Sequence, residues 1–206
     1  MSRITYSKRN PGSERLGRNI HPEGVIFGSV FKRVCTMKFP IALLMLIAAS
    51  LPVNAATVGE PAPDFELADQ YGEIHSLEDF SGKWLVVFFY PKADTPGCTT
   101  QACNFRDNIY AIRGAGAEVV GISVDSVEDQ NKFSEKYKLP FTILSDTGGR
   151  TCDAFGVLRS FGSMEVANRE SFLINPQGVV VKHYARVSPD SHTQEVIADL
   201  ERLQSE

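Results

Sequence analysis

One feature most constrains the fold of this chain. It is an apolar run that ends at a proline and is followed by the start of a helix that carries a cysteine. Residues 85–90 predict a buried β-strand, and Pro91 ends it. Thr95 is a suitable N-cap and Pro96 a suitable first helical residue, so we expect a helix to begin here. Cys98 then falls in the first turn, where unpaired backbone N–H groups and the helix dipole favour a thiolate. The stretch predicts a strand–loop–helix unit that carries a nucleophilic cysteine.

The rest of the chain extends this unit into an α/β fold. Further strands are expected at residues 62–67, 73–77, 117–124, 141–144, 171–174 and 179–184. Helices are expected at residues 95–114, 126–137 (with Ser126 as the cap), 147–155 and 191–203. The order βαβαβ followed by ββα predicts one sheet with a parallel part and an antiparallel hairpin.

Charge divides the chain into two parts. Residues 1–55 carry eight Lys or Arg and two Asp or Glu, a net charge of +6, whereas residues 56–206 carry 13 and 23, a net charge of -10. A domain this acidic is a poor nucleic-acid binder, because neutralising phosphates requires basic surface. It also gives no reason to expect binding to an anionic membrane. We therefore expect neither nucleic acid nor membrane as a partner of residues 56–206.

Residues 37–55 have the three parts of a secretory signal peptide. Lys38 gives a basic start, residues 39–51 form an apolar core that is short for a membrane span, and Val53-x-Ala55 is a small-residue exit. We expect cleavage after Ala55, which leaves residues 56–206 as the mature domain.

Two interpretations of residues 1–36 remain open. They are an upstream extension from a misassigned start, or an Arg-rich, acid-poor presequence that targets an organelle. The first predicts an exported protein, periplasmic if the source is bacterial. The second predicts an organelle such as a plastid.

Several separated motifs resemble one known family. The pattern Pro91-x-x-x-Thr95-x-x-Cys98 is similar to the active-site signature of peroxiredoxins. Cys103, five residues after Cys98, resembles the bacterioferritin-comigratory-protein (peroxiredoxin Q) subgroup. The resemblance runs from about residue 59 to the C-terminus and includes residues 59–65 and 169–174. It implies a thioredoxin-like fold, with a central mixed β-sheet flanked by helices, which agrees with the order of elements.

The resemblance also implies a role for each site residue. Cys98 attacks a peroxide and becomes a sulfenic acid, and Cys103 resolves it as an intramolecular disulfide. Thr95 hydrogen-bonds the peroxide, Pro91 shields the thiolate from water, and Arg169 stabilises the thiolate and polarises the O–O bond. The implied partners are a peroxide and a thioredoxin-like reductant, without a cofactor, and we expect a monomer.

The residues alone leave simpler roles open. Cys98 and Cys103 could be packed free thiols, and Arg169 could form a surface ion pair with a nearby glutamate such as Glu165 or Glu170. Cys152 lacks motif context and is expected to be buried and inert, while Cys35 lies in the segment expected to be removed. The four histidines have no ligand spacing, so we expect no metal site.

Helix geometry conflicts with a bond between Cys98 and Cys103. Five helical residues span roughly 500° of rotation and about 7.5 Å of rise. A disulfide needs Cα atoms within about 7 Å and converging Cβ vectors. If the disulfide forms, the first turns of the helix must therefore unwind.

Two other functions remain open. One is an exported thiol–disulfide oxidoreductase, against which the absence of a C-x-x-C pair in the sequence argues. The other is a redox sensor or holdase, in which the disulfide is the signal and peroxide turnover is incidental.

Overall fold

Alternate side chains of a central strand pack into two separate cores. The computed structural model describes residues 55–162 and 164–205, and within them residues 85–90 are at most 1% exposed. Residues 86, 88 and 90 lie in one core, whereas residues 85, 87 and 89 lie in the other. This alternation follows from the two-residue repeat of a β-strand. The predicted buried strand is confirmed.

The described residues form nine strands. They are β1 (Glu66–Asp69), β2 (Ile74–Ser76), β3 (Trp84–Phe89), β4 (Ala117–Ser123), β5 (Thr142–Ser145), β6 (Leu158–Phe161), β7 (Met164–Ala167), β8 (Ser171–Ile174) and β9 (Val180–Tyr184). The helices are α1 (Pro96–Asp107), α2 (Ile109–Gly114), α3 (Val127–Tyr137), α4 (Arg150–Ala154) and α5 (His192–Gln204), with a 3₁₀ turn at Leu77–Phe80. Within the same residues, none of the helices is long and apolar enough to span a membrane.

Seven strands form one mixed sheet in the order β2-β1-β5-β4-β3-β8-β9. Strands β3, β4 and β5 are parallel, whereas β8 pairs antiparallel with both β3 and β9. Helices α1, α2, α3 and α5 contribute to the first core, and α4 contributes to the second. The predicted α/β fold, with its parallel part and its antiparallel hairpin, is confirmed.

Three local predictions differ from the structure. The helix expected at 95–114 is two helices, because the chain leaves helical geometry at Asn108, whose side chain donates to the carbonyl of Asn104 (2.8 Å). The first strand begins at Glu66 and not at residue 62, since Pro63 cannot donate a ladder hydrogen bond. The β6–β7 hairpin was not predicted.

The predictions for the N-terminal segment, the extension at 1–36 and the signal peptide at 37–55, lie outside the described residues except for Ala55.

Candidate active site

The loop between β3 and α1 ends in the predicted helix cap. Thr95 has extended backbone angles and Pro96 is the first helical residue, which places Cys98 in the first turn. The Thr95 hydroxyl does not cap the helix. It donates to the carbonyl of Lys92 (2.9 Å) and closes the loop on itself. Pro91 and Thr95 are both half-buried.

Cys98 lies against a guanidinium from a distant part of the chain. Its side chain is 1% exposed, and Arg169 Nη2 donates to Sγ at 3.3 Å. Arg169 reaches this position from the connection between β7 and β8. The neighbouring Glu170 pairs with His183 (2.7 Å), so the structure turns Arg169 towards the cysteine and not towards that carboxylate. The backbone N–H groups of the first helical turn add further positive character at the sulfur.

Gly97 provides the space for that guanidinium. A Cβ atom at this position would lie 3.1 Å from Arg169 Nη2 and 3.7 Å from Pro189 Cγ. Both distances depend on tertiary packing, so the sequence alone could not assign this role to Gly97.

Gln101 is a site residue that the sequence analysis missed. Its side chain is fully buried, and its Oε1 accepts a hydrogen bond from Arg169 Nη1 at 2.9 Å. The guanidinium is thus held by two groups, Gln101 and Cys98, one helical turn apart. The three-residue spacing of these two positions in a helix was the available signal.

Cys103 is a half-buried free thiol on the same helix as Cys98. Because α1 is continuous from Pro96 to Asp107, the two cysteines keep the rotation and rise of a regular helix. The Arg106 guanidinium lies one turn further on. Its hydrogen bond to Asp107 raises the pKa of Arg106, and Cys103 contributes in the same direction.

Cys152 belongs to the other core. It is fully buried on α4, and its N–H donates to Asp146 Oδ2 (2.8 Å). Burial raises the pKa of Cys152 well above the usual thiol range, and Asp146 acts in the same direction. Cys98 and Cys152 lie in the two cores that the alternation of β3 separates, so the sheet stands between them. The expectation of a buried, protonated thiol agrees with this position.

Within the part of the chain that the structure describes, one group of potential metal ligands lies at the β1–β2 turn. Ligand atoms of Asp69, Glu73 and His75 lie within 4.8 Å of one another. The Asp69 carboxylate already accepts hydrogen bonds from the N–H groups of Tyr71 (2.8 Å) and Glu73 (2.9 Å). Closing this turn accounts for the cluster without an ion.

Comparisons with a family model, with known sequences and with a solved structure agree on one protein family. Residues 58–183 match the AhpC/TSA family. The chain is 42% identical over 178 residues to "Peroxiredoxin Q, chloroplastic" from Sedum lineare, covering 85% of this chain and 93% of the relative. It is 39% identical over 150 residues to "Peroxiredoxin Bcp" from Bacillus subtilis, covering 71% and 96%. The crystal structure of peroxidoxin BcpB from Mycobacterium tuberculosis superposes with a TM-score of 0.68 and 35% identity, covering 71% of this chain and 97% of that one.

Proposed function

Because the chain belongs to the AhpC/TSA family and is a peroxiredoxin, we propose that Cys98 reduces hydrogen peroxide and organic hydroperoxides to water and alcohols. The observation that carries this proposal is the contact of Arg169 Nη2 with Cys98 Sγ at 3.3 Å, in the first turn of α1. A fixed cation and free N–H groups around a buried sulfur favour the thiolate that peroxide chemistry needs.

The first step is a two-electron oxidation of Cys98. Its thiolate attacks one peroxide oxygen, an S–O bond forms, the O–O bond breaks, and water or an alcohol leaves after taking up a proton. Cys98 becomes a sulfenic acid. Arg169 and the N–H groups of the helix start stabilise the charge that develops on the leaving oxygen. Thr95 holds the peroxide through its hydroxyl, and Pro91 keeps bulk water from the sulfur.

The second step joins Cys98 to Cys103. The Cys103 thiolate attacks the sulfenic sulfur, an S–S bond forms, the S–O bond breaks, and hydroxide leaves and is protonated to water. The first turns of α1 unwind to bring the sulfurs together. Phe105, fully buried with its ring 4.9 Å from that of Phe88, anchors the rest of the helix, since burying such a ring contributes about 1.5–3 kcal/mol.

A thioredoxin-like dithiol then reduces the disulfide by two exchange steps and restores both thiols. The reaction needs no second chain, because both reacting cysteines lie on one helix, and we propose a monomer. The two alternatives, a thiol–disulfide oxidoreductase and a redox sensor, differ from this function in peroxide turnover. A peroxidase consumes many equivalents of peroxide when a thioredoxin system is supplied, whereas a thiol–disulfide oxidoreductase consumes none and a sensor only incidental amounts.

Export, with cleavage after Ala55, is a separate part of the proposal. It rests on the pattern of residues 37–55. The relative from Sedum lineare is named chloroplastic, which keeps a plastid presequence as the alternative. Intact-mass measurement of the protein from its native source tests the cleavage. A chain that begins near Ala56 supports it, a chain that retains residues 1–36 contradicts it, and fractionation of the source shows whether the product is exported or in an organelle.

Peroxide consumption by the wild-type chain and by Cys98→Ser and Cys103→Ser variants tests the enzymatic proposal. Cys98→Ser is expected to consume no peroxide. Cys103→Ser is expected to undergo the first oxidation at the wild-type rate and then to stop as a sulfenic acid, which peroxide oxidises further. Normal turnover by Cys98→Ser contradicts the assignment of the nucleophile.

A further inference from the structure

The loop of residues 91–95 carries Pro91 and Thr95 but belongs to no helix or strand. A buried carboxylate fixes its inner side. Asp125, two residues beyond the end of β4, is 2% exposed, and its Oδ2 accepts the N–H of Ala93 at 2.7 Å. The ammonium of Lys92 pairs with the other carboxylate oxygen, Oδ1. Two successive loop residues thus share one buried anion.

A chain of buried hydrogen bonds holds that anion in place. Ser123 Oγ donates to Asp125 Oδ2 (2.7 Å), Gln130 Nε2 donates to Ser123 Oγ (2.9 Å), and Tyr90 Oη donates to Gln130 Oε1 (2.5 Å). None of these four side chains is more than 2% exposed. Such a network, with its members hydrogen-bonded to one another, is rigid.

The network ends in the core that also holds Cys98. Tyr90 and Cys98 belong to the same core. Burial raises the pKa of Tyr90, and the charges of Asp125 and Cys98 act in the same direction, so the phenol remains a hydrogen-bond donor. The network therefore connects the core around Cys98 to the loop.

The outer side of the loop has its own attachment. Asp94 adopts a left-handed backbone conformation (φ 58°), and its carboxylate accepts hydrogen bonds from Lys136 Nζ (2.7 Å) and Tyr137 Oη (2.6 Å). This attachment is exposed and is screened by salt, whereas the Asp125 attachment is buried. Asp125 is thus the stronger constraint on the loop.

On the basis of the peroxidase function proposed above, we propose that Asp125 is a positioning residue for the oxidation of Cys98. Its carboxylate sets where Pro91 and Thr95 stand relative to the sulfur. Asp125 does not touch the substrate, and its effect passes through the N–H of Ala93 and the ammonium of Lys92. A displacement of about 1 Å at a reacting centre lowers a rate by up to about a hundredfold.

The rates of oxidation and of alkylation of Cys98 together separate a loss of positioning from a general disturbance of the fold. Peroxide oxidation of Cys98 needs the placement of Thr95 and Pro91, whereas alkylation by iodoacetamide needs a reactive thiolate and no peroxide site. Both rates are measured in a Cys35→Ser, Cys103→Ser, Cys152→Ser background, so that Cys98 is the remaining cysteine and reports both reactions. Asp125→Asn removes the charge and replaces one of the two acceptor oxygens with an NH2 donor, so either the N–H of Ala93 or the ammonium of Lys92 loses its acceptor. It is expected to slow oxidation by about tenfold to a hundredfold and alkylation by less than about twofold.

Asp69→Asn is the matched control. Asp69 is also a buried aspartate, and its carboxylate accepts the N–H groups of Tyr71 and Glu73, but it closes the β1–β2 turn. Its substitution is expected to lower thermal stability. The ratio of the oxidation rate to the alkylation rate of Cys98 should stay unchanged. Ser123→Ala removes a single oxygen from the network, keeps the core volume, and is expected to lower the ratio by about threefold.

Three outcomes are decisive. A lowered ratio in Asp125→Asn and Ser123→Ala, with Asp69→Asn unchanged, supports the positioning role. An unchanged ratio in either folded network variant overturns it; if Asp125→Asn does not fold, Ser123→Ala decides. A background protein with no measurable peroxide oxidation of Cys98 overturns the proposed function itself, which is a separate result.

Discussion

A Cβ atom on Gly97 would lie 3.1 Å from Nη2 of Arg169, the same nitrogen that donates to Cys98 Sγ. The glycine is needed for space and not for backbone freedom, since its φ lies outside the left-handed region. The residue beside the nucleophile thus determines whether the cation can reach it.

Gly97→Ala is therefore expected to slow peroxide oxidation of Cys98 by about threefold to tenfold, because the guanidinium must move by a few tenths of an ångström. Alanine favours a helix over glycine by about 1 kcal/mol, so thermal stability is expected to stay level or rise. Gly148→Ala is the control, since nothing lies within 4 Å of a Cβ there. Equal oxidation rates in both variants would show that the space at Gly97 is not needed.

Replacing Arg169 tests the cation itself. Arg169→Met keeps most of the side-chain length without the charge and is expected to slow oxidation of Cys98 by about a hundredfold or more. Arg169→Lys keeps the charge but lacks the planar guanidinium that donates to Cys98 and Gln101 at the same time. An intermediate oxidation rate is therefore expected. Stopped-flow oxidation measures both variants. A wild-type rate in Arg169→Met is incompatible with the proposed role.

Cys152 is expected to take no part in turnover. Burial raises the pKa of its thiol, and it lies in the core opposite that of Cys98. Cys152→Ser should keep the wild-type rate of peroxide consumption, and the native protein should protect this thiol from alkylating reagents. Loss of turnover in a stably folded Cys152→Ser variant would assign it a role in the reaction.

His192 makes the stability of the fold sensitive to acid. Burial lowers its pKa from 6.5 to about 4, although Glu195 lies 3.9 Å away. The unfolded state then binds more protons between these values. His192 is therefore expected to lower the free energy of unfolding by up to about 3 kcal/mol as the pH falls from 6.5 to 4.

Denaturant titrations at several pH values measure this dependence. In a His192→Asn variant, the free energy of unfolding should depend much less on pH between 4 and 6.5 than in the wild type. The His75→Asn variant, altered at a partly exposed histidine, should keep the wild-type dependence. A slope that is unchanged in His192→Asn would show that other groups titrate in this range.

Much of the fold could be predicted because its signals are local. The apolar run before Pro91, Pro96 at a helix start and the cap at Ser126 each encode an element within a few residues, and the structure begins these elements as expected, although the Thr95 hydroxyl does not cap α1. The β6–β7 hairpin escaped prediction because its strands are four residues long and do not alternate, since Arg159 and Ser160 are adjacent polar residues and Val166 and Ala167 adjacent apolar ones.

The candidate site could be predicted only in part, because only some of its residues have a local sequence signal. The position of Cys98 at a helix start predicts a nucleophile. The role of Arg169 could be predicted only from the family resemblance. Gln101 and Asp125 act through contacts that span 68 and 32 positions of the chain. The helical spacing places Gln101 on the face of Cys98, but no local pattern brings Arg169 to that face or Asp125 to the loop, because these contacts exist only once the sheet has formed.

The most direct test of the central claim is disulfide mapping after one equivalent of peroxide without reductant, combined with amide exchange. The account predicts a bond between Cys98 and Cys103 within one chain. Amides of residues 99–105 should lose protection, and those of β4 should keep it. A bond from Cys98 to Cys152, or to a second chain, would contradict the assignment of Cys103 as the resolving thiol.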